Sequence, residues 1–309
     1  MDASESTTFP QPDPMTDVRG PSDPAARKER ISEGWDAMAE KWDSWAPIVD
    51  AWFAPATRIL LERLCLKAGD RVLELAAGSG GLTLHLARAV GPEGRIIATD
   101  SGPNMVKLAA RNIRAAGLSN VVARVMDGED PDVAWASMDA VACRQGFMFF
   151  ADPTGALGRL FRILRPGGRI GLTVFSTPER NGFMAVPLSI LSRWRRPDGS
   201  TGPASEGPGP FSLSAPGLLE SMLRSTGYTE VEARAVRSPL RLSSVDELLR
   251  FDDDILGDLV ADLPPAAQKE AWRAVAEASA EYVGPHSQGA PCELLVVSGR
   301  RPTNQGKTV

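Results

Sequence analysis

The chain has 309 residues, of which 43% are hydrophobic and 24% charged, and its formal net charge is −5. That length allows one large α/β domain with insertions or two modest domains, with ample apolar material for a core. The acidic balance excludes a general nucleic-acid binder, whose phosphate affinity needs clustered Lys and Arg, and no apolar run approaches the roughly 18 residues of a membrane span.

Residues 1–26 are rich in Asp, Ser, Thr and Pro and lack periodic hydrophobicity, which predicts a disordered tail. That composition matches neither a secretory signal nor a transit peptide, so a soluble, cytoplasmic protein is expected. From Arg30 a helical pattern begins, with Ile31, Trp35, Met38, Trp42 and Trp45 at spacings of three and four. Pro47 is expected to end or kink that helix, and a second helix to run from Trp52 to Leu66. Strands and helices then alternate. Strands are predicted at Arg71–Leu75, Arg95–Thr99, Val121–Val125, Met138–Cys143 and Arg169–Thr173, with helices at Gly81–Ala89, Pro103–Ala116 and Thr154–Leu164. This alternation implies βαβ crossovers and a parallel sheet covered on both faces. A Gly-, Pro- and Ser-dense loop is expected at 195–210, a helix at Ser214–Ser225, a strand at Glu230–Arg237, helices around 244–282 and a final strand at Glu293–Ser298. Cys65, Cys143 and Cys292 lie far apart with no CxxC spacing. Cys143 and Cys292 sit in or beside apolar runs, which predicts buried reduced thiols.

The first strand runs into a turn of small residues, Ala76 to Gly81, and then into a helix. Such a turn brings backbone N–H groups within reach of a ligand. The second strand ends on Asp100, a carboxylate placed to accept from ribose hydroxyls. Together they predict an adenosine-containing cofactor. A nicotinamide dinucleotide needs Gly-x-Gly-x-x-Gly, and Thr83 stands where the third glycine belongs. Glu74 also puts an acid beside the turn, which suits a ligand carrying an ammonium and a sulfonium rather than a pyrophosphate.

At these residues the chain resembles the class I S-adenosylmethionine (SAM)-dependent methyltransferases, especially the ubiquinone/menaquinone-biosynthesis C-methyltransferase type. Glu74 to Gly80 resembles the family's first motif, with Ala76 in place of its first glycine. Asp100 with Ser101, Asn104 and Met105 resembles the ribose-binding strand end, and Asp127-Gly128-Glu129 the segment at the adenine amine. Cys143 to Phe150 resembles the fourth-strand end, and Leu164-Arg165-Pro166-Gly167-Gly168 the turn before strand five. The resemblance covers about residues 30–301. It implies a Rossmann-like α/β fold with a mostly parallel seven-stranded sheet, an antiparallel last strand and helical lid insertions. It further implies a single methyltransferase domain over 27–301, with a helical cap at 27–66, a SAM-binding core at 67–175, lid insertions at 176–213 and 238–291, and a flexible tail at 302–309. The cofactor residues it implies are Glu74, Ala76, Gly78, Gly80, Thr83, Asp100, Ser101, Met105, Asp127, Gly128 and Arg144. Glu74 would serve the amino group, Asp100 the ribose and Asp127 the adenine amine. At Arg144 the family more often carries a small polar residue.

In a parallel sheet, ligands bind beyond the carboxyl ends of the strands. There the N-terminal helices and the two insertions are expected to form an apolar acceptor lid that includes Trp45, Phe147, Phe150 and Phe183. Further candidates for that lining are Trp52, Phe149, Met184 and Trp194. The chain has only two histidines. His85 lies between leucines on a helix and reads as structural. His286, in a Gly-Pro-His-Ser-Gln-Gly loop before the last strand, is the candidate for assisting proton removal. Asp252, Asp253 and Asp254 read as a solvated helix face, and no metal site is expected. Methyl transfer from SAM to carbon or oxygen of a small apolar or aromatic molecule is the expected activity. A nicotinamide-dependent oxidoreductase and a SAM-binding regulator without transfer activity are the alternatives. No nucleic-acid partner is expected, and the oligomeric state is open.

Overall fold

The structure is a computed structural model that describes residues 24–194, 208–284 and 286–303. Five strands lie parallel. They are β1 (Arg71–Leu75), β2 (Arg95–Asp100), β3 (Val121–Val125), β4 (Met138–Arg144) and β5 (Leu164–Phe175). Val72, Leu73 and Leu75 of β1 and Val141, Ala142 and Cys143 of β4 are fully enclosed, as a sheet covered on both faces requires. Two further strands complete the sheet, β6 (Thr229–Arg237) and β7 (Glu293–Arg300), and its order is β3-β2-β1-β4-β5-β7-β6. β7 runs antiparallel to both neighbours, Leu172 opposing Val297 on one side and Ala235 opposing Leu295 on the other. The seven-stranded mixed sheet is therefore the one the sequence resemblance implied.

Amphipathic helices cover it: α4 (Gly81–Val90), α5 (Pro103–Ala115), α6 (Pro153–Ile163) and α8 (Leu218–Thr226) alternate with the strands. Upstream lie α1 (Pro24–Ala37), α2 (Ala39–Ser44) and α3 (Ala46–Leu64). The tryptophan stripe is thus divided: Trp35 lies on α1, Trp42 on α2, and Trp45 is the junction between α2 and α3. Pro47 does not end a helix; it sits in the first turn of α3, where its missing N–H costs no intrahelical bond. α3 starts six residues before the expected Trp52 and ends at Cys65, whose φ of 51° is left-handed. Residues 24–26, expected to be disordered, form the first turn of α1. The expected helix start at Ser214 is also corrected, because Gly217, with φ of 76°, turns the chain into α8 only at Leu218.

The two insertions stack on the carboxyl ends of the strands. α7 (Gly182–Leu191) comes from the first, and α9 (Val245–Leu256) with α10 (Pro265–Ser279) from the second. A neck ties the second insertion to the sheet: Leu240 and Ala290 exchange backbone hydrogen bonds, and Ser238 N–H donates to Cys292 C=O at 2.9 Å. Asp252 departs from the expected solvated face, because α9 turns it inward and only 5% of it is exposed. Asp254 accepts from the Trp45 indole at 2.9 Å and pairs with Lys41. Cys143 and Cys292 are buried, and Cys65 is exposed. Among the described residues no helix is long and apolar enough to cross a membrane. The expected tail before residue 24, most of the loop at 195–210 and the end of the chain after residue 303 lie outside the described residues.

Candidate functional site

A cavity of about 950 Å³ opens over the carboxyl ends of β1, β2 and β4. Its floor is the turn between β1 and α4. Ala76, Gly78 and Gly80 all have positive φ there, 50°, 57° and 96°. Glycine adopts this conformation without strain, and the turn aims peptide N–H groups outward. Ala77 N–H donates to Thr99 C=O at 2.9 Å, which pins the turn to the end of β2. Asp100 at that end accepts from Gly78 N–H at 2.9 Å and Gly102 N–H at 3.0 Å, so its carboxylate orders both loops and also faces the cavity. Burial raises the Asp100 pKa, and the Gly102 and Gly78 amides oppose that rise.

Glu74 breaks the apolar pattern of β1. It is 1% exposed and accepts from the Thr83 hydroxyl at 2.6 Å through Oε2, while Oε1 is buried without a partner. Desolvation pushes its pKa up to about 8, against the Thr83 hydrogen bond and the Arg144 charge. A charged donor placed at this oxygen would favour the ionised carboxylate and offset its desolvation.

Ser101, Met105, Asp127, Gly128 and Arg144 also line the cavity, together with Ala76 and Gly78. Thr83 lies behind Glu74 and supports it, and Gly80 caps α4; neither reaches the cavity wall. Asp127 accepts from Glu129 N–H at 2.8 Å and pairs with Lys28 of α1, which also lies 3.6 Å from Glu129. A Cβ on Gly128 would stand 2.7 Å from the Phe150 ring, so Phe150 lines the cavity at the Gly128 end.

The far wall is aromatic. Trp52, Phe53, Phe175 and Phe183 interlock there, Trp52 with Phe183 edge-on at 4.6 Å and Phe175 with Phe183 at 5.0 Å between centroids. Met184, Phe211 and Leu256 extend it into the insertions. Phe183 is therefore on the expected wall. Two other expected residues are set back from it: Phe147 is fully buried beneath, and Trp45 packs edge-on against Phe251 with its N–H on Asp254. Trp194 is likewise off the wall. His286 is exposed in its loop and does not line the cavity, and half-buried His85 does not either. Burial lowers the His85 pKa, and the Arg144 charge lowers it further.

Two wall residues escaped sequence reading. Asp50 of α3 is a polar residue on a mainly apolar helix, and nothing local marks it. Gln145 follows β4 with φ of 61°, and its buried Oε1 has no partner. Non-glycine residues in that region are held there by surrounding structure.

A family model described as a methyltransferase domain matches residues 72–168. Nocamycin O-methyltransferase of Saccharothrix syringae is 31% identical over 206 residues, 64% of this chain and 73% of that protein. The chain belongs to the SAM-dependent methyltransferases. Demethylmenaquinone methyltransferase of Thermus thermophilus is 38% identical over 141 residues, which span 44% of this methyltransferase and 59% of the relative. Phosphoethanolamine N-methyltransferase 2 of Haemonchus contortus, solved with SAM, shares the fold at 15% identity, with a TM-score of 0.53 and coverage of 84% of this chain and 57% of that one. The residues of this methyltransferase fit its cofactor. The buried Glu74 Oε1 has no partner and would accept from an ammonium, and the glycine turn leaves room for backbone approach.

Proposed function

We propose that this methyltransferase acts on carbon or oxygen of a small, mainly apolar or aromatic acceptor. The observation that carries this reading is the continuity of one cavity from the Glu74–Asp100 end to the rings of Trp52, Phe175 and Phe183. Its volume of about 950 Å³ is near the upper end for pockets holding one drug-sized molecule, which leaves room for a donor and an acceptor together.

The cofactor supplies an activated methyl on a positive sulfonium. The chain's own task is then to bind, align and exclude water, and positioning of this kind contributes up to roughly 7–11 kcal/mol. Glu74 would take the ammonium through Oε1, the Asp100 carboxylate the ribose hydroxyls, and Asp127 the adenine amine once Lys28 yields. The aromatic wall would strip water from the acceptor and face its reactive atom toward the turn. Among the described residues no histidine lines the cavity, so an acceptor that ionises readily, such as an acidic phenol or an enolised carbonyl, suits the site best.

The test has two stages. Calorimetry with S-adenosylhomocysteine and with a nicotinamide dinucleotide is expected to show binding of the first alone. Methyl-labelled SAM is then incubated with a panel of phenols, quinols and enolic ketones, and label is expected in an apolar product. Binding of the dinucleotide instead would overturn the reading in favour of an oxidoreductase. Homocysteine-adduct binding with no transfer to any panel member would overturn it in favour of a SAM-binding regulator.

A further inference from the structure

Gln145, the first residue past β4, carries two costs at one point. Its φ of 61° is left-handed, a region that non-glycine residues occupy only when their surroundings hold them there. Its side-chain Oε1 is buried without a hydrogen-bond partner. Thr173 of β5 does the holding: the Gln145 backbone N–H donates to Thr173 C=O at 3.0 Å, and Nε2 donates to Thr173 Oγ1 at 3.3 Å. Among the described residues three buried side-chain oxygens lack a hydrogen-bond partner. Asp139 Oδ1 is ion-paired with Arg165, and Asp139 does not line the cavity. Glu74 Oε1 falls to the cofactor under the reading above. Gln145 Oε1 is left over, and Gln145 lines the cavity.

Its position narrows the purpose. β4 lies between β1 and β5, with Cys143 opposite Leu75 on one side and Leu172 on the other. Past that register the chain turns at Gln145 and Gly146. A Cβ on Gly146 would collide with Ala76, so the turn presses against the start of the glycine loop. On the opposite side β5 runs two residues beyond Thr173 to Phe175, a ring of the aromatic wall. Gln145 therefore stands at the join between the Glu74–Asp100 end and the acceptor wall. A methyl passing from donor to acceptor crosses at that join. Asp50 and Arg144, which also line the cavity, are paired with each other at 3.1 Å.

We infer that Gln145 selects the acceptor: its Oε1 accepts a hydrogen bond from a hydroxyl at the acceptor's reacting end. This rests on the methyltransferase reading above and narrows its acceptor class to aromatic or enolic molecules that carry an O–H donor there. Ethers of the same shape are disfavoured, because they leave Oε1 buried and unpaired. An amide oxygen accepts a hydrogen bond without taking the proton near neutrality. Gln145 therefore orients and discriminates, and it is not a base.

The test loads the protein with S-adenosylhomocysteine and adds two probes of similar shape, 1-naphthol and 1-methoxynaphthalene, of which only the first is an O–H donor. Calorimetry on the unaltered protein is expected to show the naphthol bound more tightly by about ten-fold. Gln145→Met, which keeps the side-chain length without an accepting oxygen, is expected to lower naphthol affinity to that of the ether. The same variant should leave the ether and the homocysteine adduct bound as before. Gln145→Glu, which keeps an accepting oxygen, is expected to retain the preference. Equal affinity of the two probes for the unaltered protein would overturn the inference, and so would failure of the naphthol to bind. A preference that survives in Gln145→Met would overturn it by placing the hydroxyl elsewhere. Loss of homocysteine-adduct affinity in step with naphthol affinity would overturn it too and make Gln145 a structural residue. No binding of the homocysteine adduct to the unaltered protein would instead bring down the methyltransferase reading itself.

Discussion

Glu74 shows how a single residue ties the cofactor seat to the protein's response to pH. Its carboxyl is raised from 4.5 to about 8 by burial, so in the free protein near neutrality it is largely protonated. The unfolded chain ionises near 4.5, and the folded one holds the proton up to about 8. The folded state therefore binds more protons across that window, and its stability falls as pH rises through it. The loss is complete only above the folded value, and its size is on the order of a few kcal/mol. Glu74→Gln is expected to flatten the melting temperature of the free protein over this range. A pH dependence as steep as that of the unaltered chain would exclude Glu74 as its source. An ammonium at Oε1 requires the carboxylate form, so homocysteine-adduct binding at pH 7 is expected to release about one proton from Glu74. Calorimetry in buffers of different ionisation enthalpy would detect that proton, and Glu74→Gln should abolish it. Glu74 and Asp100 were legible in the sequence because each sits at a fixed distance from the glycine turn or closes a strand. Asp50 and Gln145 were not, because one is an isolated acid on a helix and the other follows a strand with no turn signature. His286 precedes β7 in a loop that does not line the cavity, which chain order alone does not reveal.

At the scale of elements, the strands from β1 to β4 were legible to within a residue, because each is an apolar run between turn residues with no competing period. The N-terminal helices were not. A proline with two helical patterns around it is compatible with an ending or a beginning, and Pro47 proved to be a beginning. Packing decides that choice, since Trp52, Phe53, Ile59 and Leu60 bury against the sheet only on one continuous α3. α3 is also bonded to the second insertion. The Trp52 indole donates to Ser238 C=O at 2.7 Å, and the Ser238 hydroxyl donates back to Trp52 C=O. Trp52→Phe keeps most of the ring volume but leaves the Ser238 carbonyl buried without its indole donor. The expected cost is about 1–3 kcal/mol of stability, measured by denaturant unfolding. The same variant should weaken acceptor binding more than homocysteine-adduct binding, because Trp52 belongs to the aromatic wall. Stability equal to that of the unaltered chain would show that the indole bond contributes nothing to holding the insertion on the core.

For the molecule as a whole, the cavity is walled by parts far apart in the chain: α1, the turn after β1, the segment after β4, α7 and the end of α9. No two of these are sequence neighbours, which is why their meeting was legible only as a consequence of the fold. Lids stacked over the carboxyl ends of a parallel sheet have to converge there. Lys28 on Asp127 and Asp36 on the α5 amide at Asn104 fasten α1 across one end. The Trp52–Ser238 pair fastens the second insertion across the other. A ligand seated between these walls binds the folded chain and not the unfolded one, so it stabilises all of them together. At a hundred times its dissociation constant, the homocysteine adduct should add about 2.7 kcal/mol. That corresponds to a rise of several degrees in melting temperature for a domain of this size. The rise should appear in a single transition, because the fastening side chains join cap, core and insertions into one cooperative unit. A scan in which only a small early transition moved, with the main one unshifted, would show instead that the lid melts apart from the sheet and that the cavity walls are not held as one body.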